Sequence, residues 1–301
     1  MSPRPSHAAG IAFVVASATA FGAMAIFARY AYGDGVDTPT LLALRFVIAG
    51  ALLLAACRIA GVAWPRGADL ATLVGLGALG YAAQAACYFT ALTLAPAGLV
   101  ALLLYVHPAL VALLAAWRGH ERLSSRTLVA LAVALAGTVF TVGPALAGTA
   151  GAAHAAGIAF GVLAALVYAV YIVVSTGVAS RVDPLAMSSV VIASAAVPFA
   201  TLAAARGPSL PASASGWAAV LAIALVSTLA VITWFFAGLK RVGPTRASTL
   251  STVEPAVTVA LAAMFLGERI EPVQLAGGAL ILAAVVLLAR AGAPPAAETS
   301  R

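Results

Sequence analysis

The chain contains itself twice, at a fixed offset of 147 residues. Gly10-Ile11-Ala12-Phe13 returns as Gly157-Ile158-Ala159-Phe160, and residues 91–123 overlay 238–270 without a gap. Ten of those 33 positions are identical, including Leu92/Leu239, Val106/Val253, Pro108/Pro255, Glu121/Glu268 and Arg122/Arg269. Roughly one match in ten is the chance level for so Ala- and Leu-rich a chain, so the register reflects a duplicated unit. What that duplication builds depends on how often each copy crosses a membrane.

A hydrophobic content of 63%, a charged content of 8% and a mean hydropathy of +1.09 exclude an ordinary soluble domain. Apolar runs near the length needed to cross a bilayer, about 20 residues, cover 8–28, 38–57, 69–90, 97–117, 125–144, 155–176, 184–205, 216–238, 246–266 and 272–290. The fold class expected is therefore an all-α membrane protein of ten transmembrane helices, five per repeat, over residues 8–144 and 155–291. Residues 1–7 and 293–301 read as disordered cytoplasmic tails, and the Gly/Ala-rich stretch from Gly143 to His154 as the loop joining the copies. The first run is longer than a signal-peptide core and its opening tetrapeptide recurs, which makes it a retained span. Cys57 and Cys87 fall inside predicted helices and read as packing residues.

With the N-terminus inside, twelve Lys and Arg residues flank spans on the cytoplasmic side and three, Arg29, Arg206 and Arg269, on the other. By the positive-inside rule both termini are expected in the cytoplasm, in a cell inner membrane. The same basic loops account for the formal charge of +7, and there is no soluble basic surface to suggest nucleic acid as a partner. Five spans per copy force the second copy to enter from the opposite side. The halves are then inverted around a central cavity, the architecture with which many secondary transporters alternate access to a midplane site.

Arg45-Phe46 in the second helix, a proline in the middle of the fourth and ninth (Pro108, Pro255), and Glu-Arg closing both (Gly119-His120-Glu121-Arg122, Gly267-Glu268-Arg269) resemble the EamA family of the drug/metabolite transporter superfamily. The resemblance covers about residues 10 to 290. It implies a ten-helix basket around a cavity and export of amino acids or other small metabolites. Its alternative on the same fold is uptake of a vitamin- or nucleoside-like compound. An intramembrane enzyme is disfavoured, because the four histidines are scattered and neither HExxH nor a Walker motif occurs. No metal site or cofactor is expected.

Ionisable groups inside a bilayer require a reason, and three stand out: Arg45, His107 and Glu254. His107 and Glu254 are equivalent positions of the two copies, each followed by a proline that frees the carbonyl four residues back, that of Leu104 or Ser251. Inverted symmetry should set them on opposite walls of one space. Burial favours the neutral form of any carboxyl, so Glu254 could carry a proton or hold the ammonium of a substrate, and proton coupling is open. Several of Ser248, Ser251, Thr252, Glu254 and Thr258 lie along one side of the ninth helix, by i, i+3, i+4 and i+7 spacing, whereas their first-copy counterparts are mostly apolar. Tyr81, Gln84 and Tyr88 on the third helix and Tyr168 and Tyr171 on the sixth follow helical spacing, and Trp234 lies in the eighth. Aromatics with polar tips suit an amphiphilic cargo, which makes these residues the expected pathway together with His107, Ser251, Thr252 and Glu254. Arg45, Pro108 and Pro255 are assigned gating or structural roles.

Overall fold

A computed structural model describes residues 7–117, 125–147, 151–242, 247 and 250–291. Among these every regular element is helical. Arg118, Glu121, Arg122 and Ser248 lie outside the described residues.

The first repeat comprises α1 (His7–Gly22), α2 (Met24–Gly33), α3 (Thr38–Ile59), α4 (Gly67–Gly75), α5 (Ala82–Leu94), α6 (Ala97–Leu104), α7 (His107–Trp117) and α8 (Ser125–Ala147). The second comprises α9 (Gly151–Ala179), α10 (Pro184–Arg206), α11 (Ala214–Ala224), α12 (Val231–Val242), α13 (Val253–Leu266) and α14 (Pro272–Ala291). Six-residue π turns join α4 to α5 (Leu76–Tyr81) and α11 to α12 (Leu225–Ala230). Among the described residues seven helical stretches are long and apolar enough to cross a membrane, and three shorter apolar ones, at Thr127–Thr141, Val253–Leu266 and Pro272–Leu287, accompany them. The stretch expected as a loop from Gly143 to His154 is instead helical up to Ala147 and again from Gly151, as its alanines favour. His7, assigned to a tail, opens α1.

Helix starts follow local chemistry. Asp37 accepts the Thr40 N–H at 2.8 Å ahead of α3, and Asp183 accepts that of Leu185 at 2.8 Å ahead of α10, each with proline in the first turn. A side-chain cap plus a preset φ fixes where each helix begins. Gly267 ends α13 at φ 66°, a left-handed conformation that glycine adopts without a Cβ penalty.

Packing obeys an exchange of the two halves. The second helix of one repeat lies against the second of the other (α3 with α10), the fifth against the fifth (α8 with α14), and the first of each against the third of its partner (α1 with α12, α9 with α5). At the crossing of α8 and α14 a Cβ on Gly277 would lie 2.6 Å from the Gly137 carbonyl, so only glycine lets these backbones meet. Hydroxyls tie α1 to the second repeat: Ser17 donates to the Val231 carbonyl at 2.9 Å, Ser227 to that of Ala20 at 2.6 Å, and Thr258 to that of Gly22 at 2.9 Å.

Candidate functional site

Pro108 and Pro255 break their helices at matching places. α6 ends at Leu104 and the chain turns through Tyr105 before α7, while Thr252 precedes α13 in a turn of its own. Tyr105 and Thr252 are again 147 residues apart. Both breaks leave a carbonyl without its helical donor inside the bundle, where a missing partner is costly. Different groups supply it. His107 meets the Leu104 carbonyl through Nδ1 at 2.9 Å; since a carbonyl only accepts, that nitrogen carries the hydrogen and Nε2 of the neutral ring is an acceptor. The Ser251 carbonyl is met from the other half, by the Tyr105 hydroxyl at 3.0 Å. That hydroxyl also reaches Oε2 of Glu254 at 2.8 Å.

Glu254 lies in the first turn of α13, where the positive end of the helix dipole favours a carboxylate. It faces a cavity of about 340 Å³ that also receives Ser17 and Phe21 of α1, Tyr105, His107 and Pro108, Tyr168 of α9, Phe235 of α12, and Ser251 and Thr252. Among the described residues that line it there is one carboxylate and no Lys or Arg.

Six of the residues singled out by sequence therefore meet: His107, Pro108, Tyr168, Ser251, Thr252 and Glu254. Pro255 is buried behind them. Tyr171, Tyr81 and Arg45 continue from this wall. The rings of His107 and Tyr168 are 4.7 Å apart, those of Tyr168 and Tyr171 stack at 6.1 Å, and Tyr171 meets Tyr81 at 5.8 Å. Gln84 and Tyr88 are buried in α5, outside the cavity lining. Trp234 does not line it either; Val231 and Phe235, one helical turn apart, do. Tyr105, Ser17 and Phe235 are among the lining residues that spacing alone passed over. Tyr105 had one signal, its equivalence to Thr252 in the polar stripe.

At one face of the bundle, the ends of α2, α5 and α13 and the start of α6 are locked together. Glu268 accepts the N–H groups of Ala97 and Gly98 at 2.7 and 3.0 Å, so a carboxylate caps α6. Arg29 donates to the Leu92 carbonyl at 2.7 Å with its other nitrogen 4.0 Å from Glu268. Asp34 accepts the Ser213 N–H at 3.0 Å, and hydrogen bonds from Ser213 hold its carboxyl below the ordinary aspartate range. The cavity lies toward the opposite ends of these helices: Ser17 precedes Arg29 by three turns of α1 and α2, and Phe235 follows Ser213 by most of α11 and α12.

The profile of the EamA-like transporter family matches residues 8–143 and 155–290, nearly the whole chain. The chain belongs to the EamA-like transporter family. It is a multi-pass membrane transporter, working on a small-molecule substrate within a lipid bilayer, and not an enzyme. It is 29% identical to an uncharacterized transporter of Archaeoglobus fulgidus over 92% of this chain and 95% of that one. It is 27% identical to the uncharacterized transporter YcbK of Bacillus subtilis, over 90% of this chain and 89% of that one. A probable terminal-alkyne amino-acid exporter of Streptantibioticus cattleyicolor is 29% identical over 85% of this chain and 86% of its own length. A crystal structure superposes with a TM-score of 0.68 over 94% of this chain and 98% of that chain; at 22% identity it shows a shared fold.

Proposed function

We propose that this transporter is a secondary exporter of small amphiphilic metabolites, amino acids or related compounds, working by alternating access with ten crossings and both termini in the cytoplasm of the inner membrane. The supporting observation is the placement of Glu254: among the described residues it is the one carboxyl group lining the cavity at two broken helices, while at the far ends of these helices Glu268 caps α6 and Arg29 meets Leu92. Broken helices that meet at membrane depth are a recurring way to build a transport site. In the proposed topology the face tied by Glu268 and Arg29 is external and the cavity lies on the cytoplasmic side, as loading for export requires. The Streptantibioticus cattleyicolor relative named a probable terminal-alkyne amino-acid exporter supports that class of cargo.

In this reading Glu254 either exchanges a proton for cargo or holds the cargo ammonium. The two roles separate in proteoliposomes. Glu254→Gln should abolish accumulation driven by a pH gradient but keep exchange of labelled for unlabelled amino acid if the group is a proton carrier. It should weaken exchange itself if the group touches cargo. Parent-like behaviour in both assays would remove Glu254 from the mechanism.

A further inference from the structure

Arg45 is 2% exposed. A guanidinium cannot shed its charge, and a buried charge without a counter-ion is costly unless something compensates it. No carboxylate pairs with it: among the described residues the ion pairs are Arg29 with Glu268 and Arg181 with Asp69. What surrounds it is neutral. Nε donates to Thr228 Oγ1 at 3.0 Å, one terminal nitrogen to the Tyr81 hydroxyl at 3.3 Å, and the guanidinium carbon lies 4.8 Å from the Phe46 ring centre and 5.3 Å from that of Phe89. The Tyr81 contact is at the weak end of hydrogen-bond geometry.

The two hydroxyls that hold it are equivalent positions of the two copies, since Tyr81 and Thr228 are 147 residues apart. Each belongs to a π turn of its own half, Leu76–Tyr81 and Leu225–Ala230, and such turns collect at functional sites. Arg45 thus sits where the halves meet, in a similar relation to both. A group placed so keeps its position when the halves exchange conformations. A chain of aromatic rings links it to the cavity wall: Tyr81, whose hydroxyl it meets, lies 5.8 Å from Tyr171, and Tyr171 lies 6.1 Å from Tyr168, a lining residue.

We propose that Arg45 is the anion receptor of the translocation pathway, taking the carboxylate of a zwitterionic cargo whose ammonium is held at Glu254. The proposal rests on the export reading above and narrows it: the cargo carries both charges, and a plain amine is a poor substrate. In the conformation seen, Glu254 is presented and Arg45 is sheathed. When the aromatic layer parts, a cargo carboxylate replaces the long Tyr81 contact with a charge-assisted one, for which the planar guanidinium is suited.

The test is counterflow in proteoliposomes with two matched probes, phenylalanine and phenethylamine, which differ by the carboxylate and share a ring suited to the aromatic wall. The parent should exchange phenylalanine about tenfold faster or more, the worth of one charge-assisted contact. Arg45→Gln should bring the ratio near one, and Arg45→Lys should keep part of it. The melting temperature of Arg45→Gln should equal or exceed that of the parent, because a charge without a counter-ion has been removed. A parent that exchanges phenethylamine as well as phenylalanine, with that exchange lost in Glu254→Gln, overturns the role of Arg45 and leaves the export reading intact. An unchanged ratio in a stable Arg45→Gln does the same. Exchange of neither probe by the parent removes the amino-acid reading and this proposal with it.

Discussion

The breaks at Pro108 and Pro255 descend from one ancestral position and answer one physical problem in opposite ways. In the first copy the freed Leu104 carbonyl is served by the residue next to the proline, His107, so the break is self-contained. In the second, the freed Ser251 carbonyl is served by Tyr105 of the other copy, through the hydroxyl that also holds Glu254. One half has a local solution and the other depends on its partner. The carboxylate is thereby held across the interface between halves, where alternating access would pull.

The largest effect that sharpens this comparison is expected from Tyr105→Phe. It leaves the Ser251 carbonyl unpaired, at a cost of about 1 to 3 kcal/mol, and takes a donor from Glu254. Both the melting temperature in detergent and counterflow should fall, counterflow by about tenfold if the loss falls on the transport step. A Tyr105→Phe protein with parental stability and exchange would break the comparison, because the shared hydroxyl would then do nothing.

Second in size is a pair of rescues. Pro255→Ala restores an N–H that can reach the Ser251 carbonyl, so in the Tyr105→Phe background it should recover about 1 kcal/mol of stability without recovering transport, since Glu254 still lacks its donor. Pro108→Ala should likewise offset the smaller loss from His107→Phe. Rescue must stay within a copy. If Pro108→Ala rescued Tyr105→Phe equally well, the two breaks would be energetically one.

The smallest effect is at the face where Asp34 meets Ser213. Asp34 has its carboxyl lowered from 3.8 by the Ser213 hydrogen bonds. A lowered folded value means that stabilisation is complete above 3.8 and is lost as pH falls through the folded value. Asp34→Asn should therefore reduce the melting temperature slightly at neutral pH, screened because the group is partly exposed, and the gap to the parent should close in acid. A gap that widened in acid would contradict the sign.

Several layers of this molecule were legible before any coordinates. Hydropathy and the 147-residue register announce a duplicated helical membrane protein, because a bilayer punishes any polar backbone that is not helical. The proline after His107 and Glu254 marks where helices must break, since a missing N–H is a covalent fact.

Which helix face looks inward was decided elsewhere. Spacing puts Tyr81, Gln84 and Tyr88 on one side of a regular helix, but the π turn ending at Tyr81 changes the winding there, and a 3.6-residue reading cannot see a π turn. Trp234 and Phe235 differ by one position, about 100° around the helix, and only the rotation of α12 against α1 brings the latter to the cavity. Tyr105 and Glu254 are 149 residues apart; nothing local couples them. The sequence by itself determined the duplication, the helical membrane class, the prolines that interrupt helices and the ionisable groups that must be accommodated, because these follow from covalent structure and transfer to hydrocarbon. The tertiary structure alone decided that one tyrosine joins both breaks, that Arg45 lies between equivalent π turns, and that Glu268 caps a helix of the other repeat, because each depends on the rotation and depth at which separate helices pack.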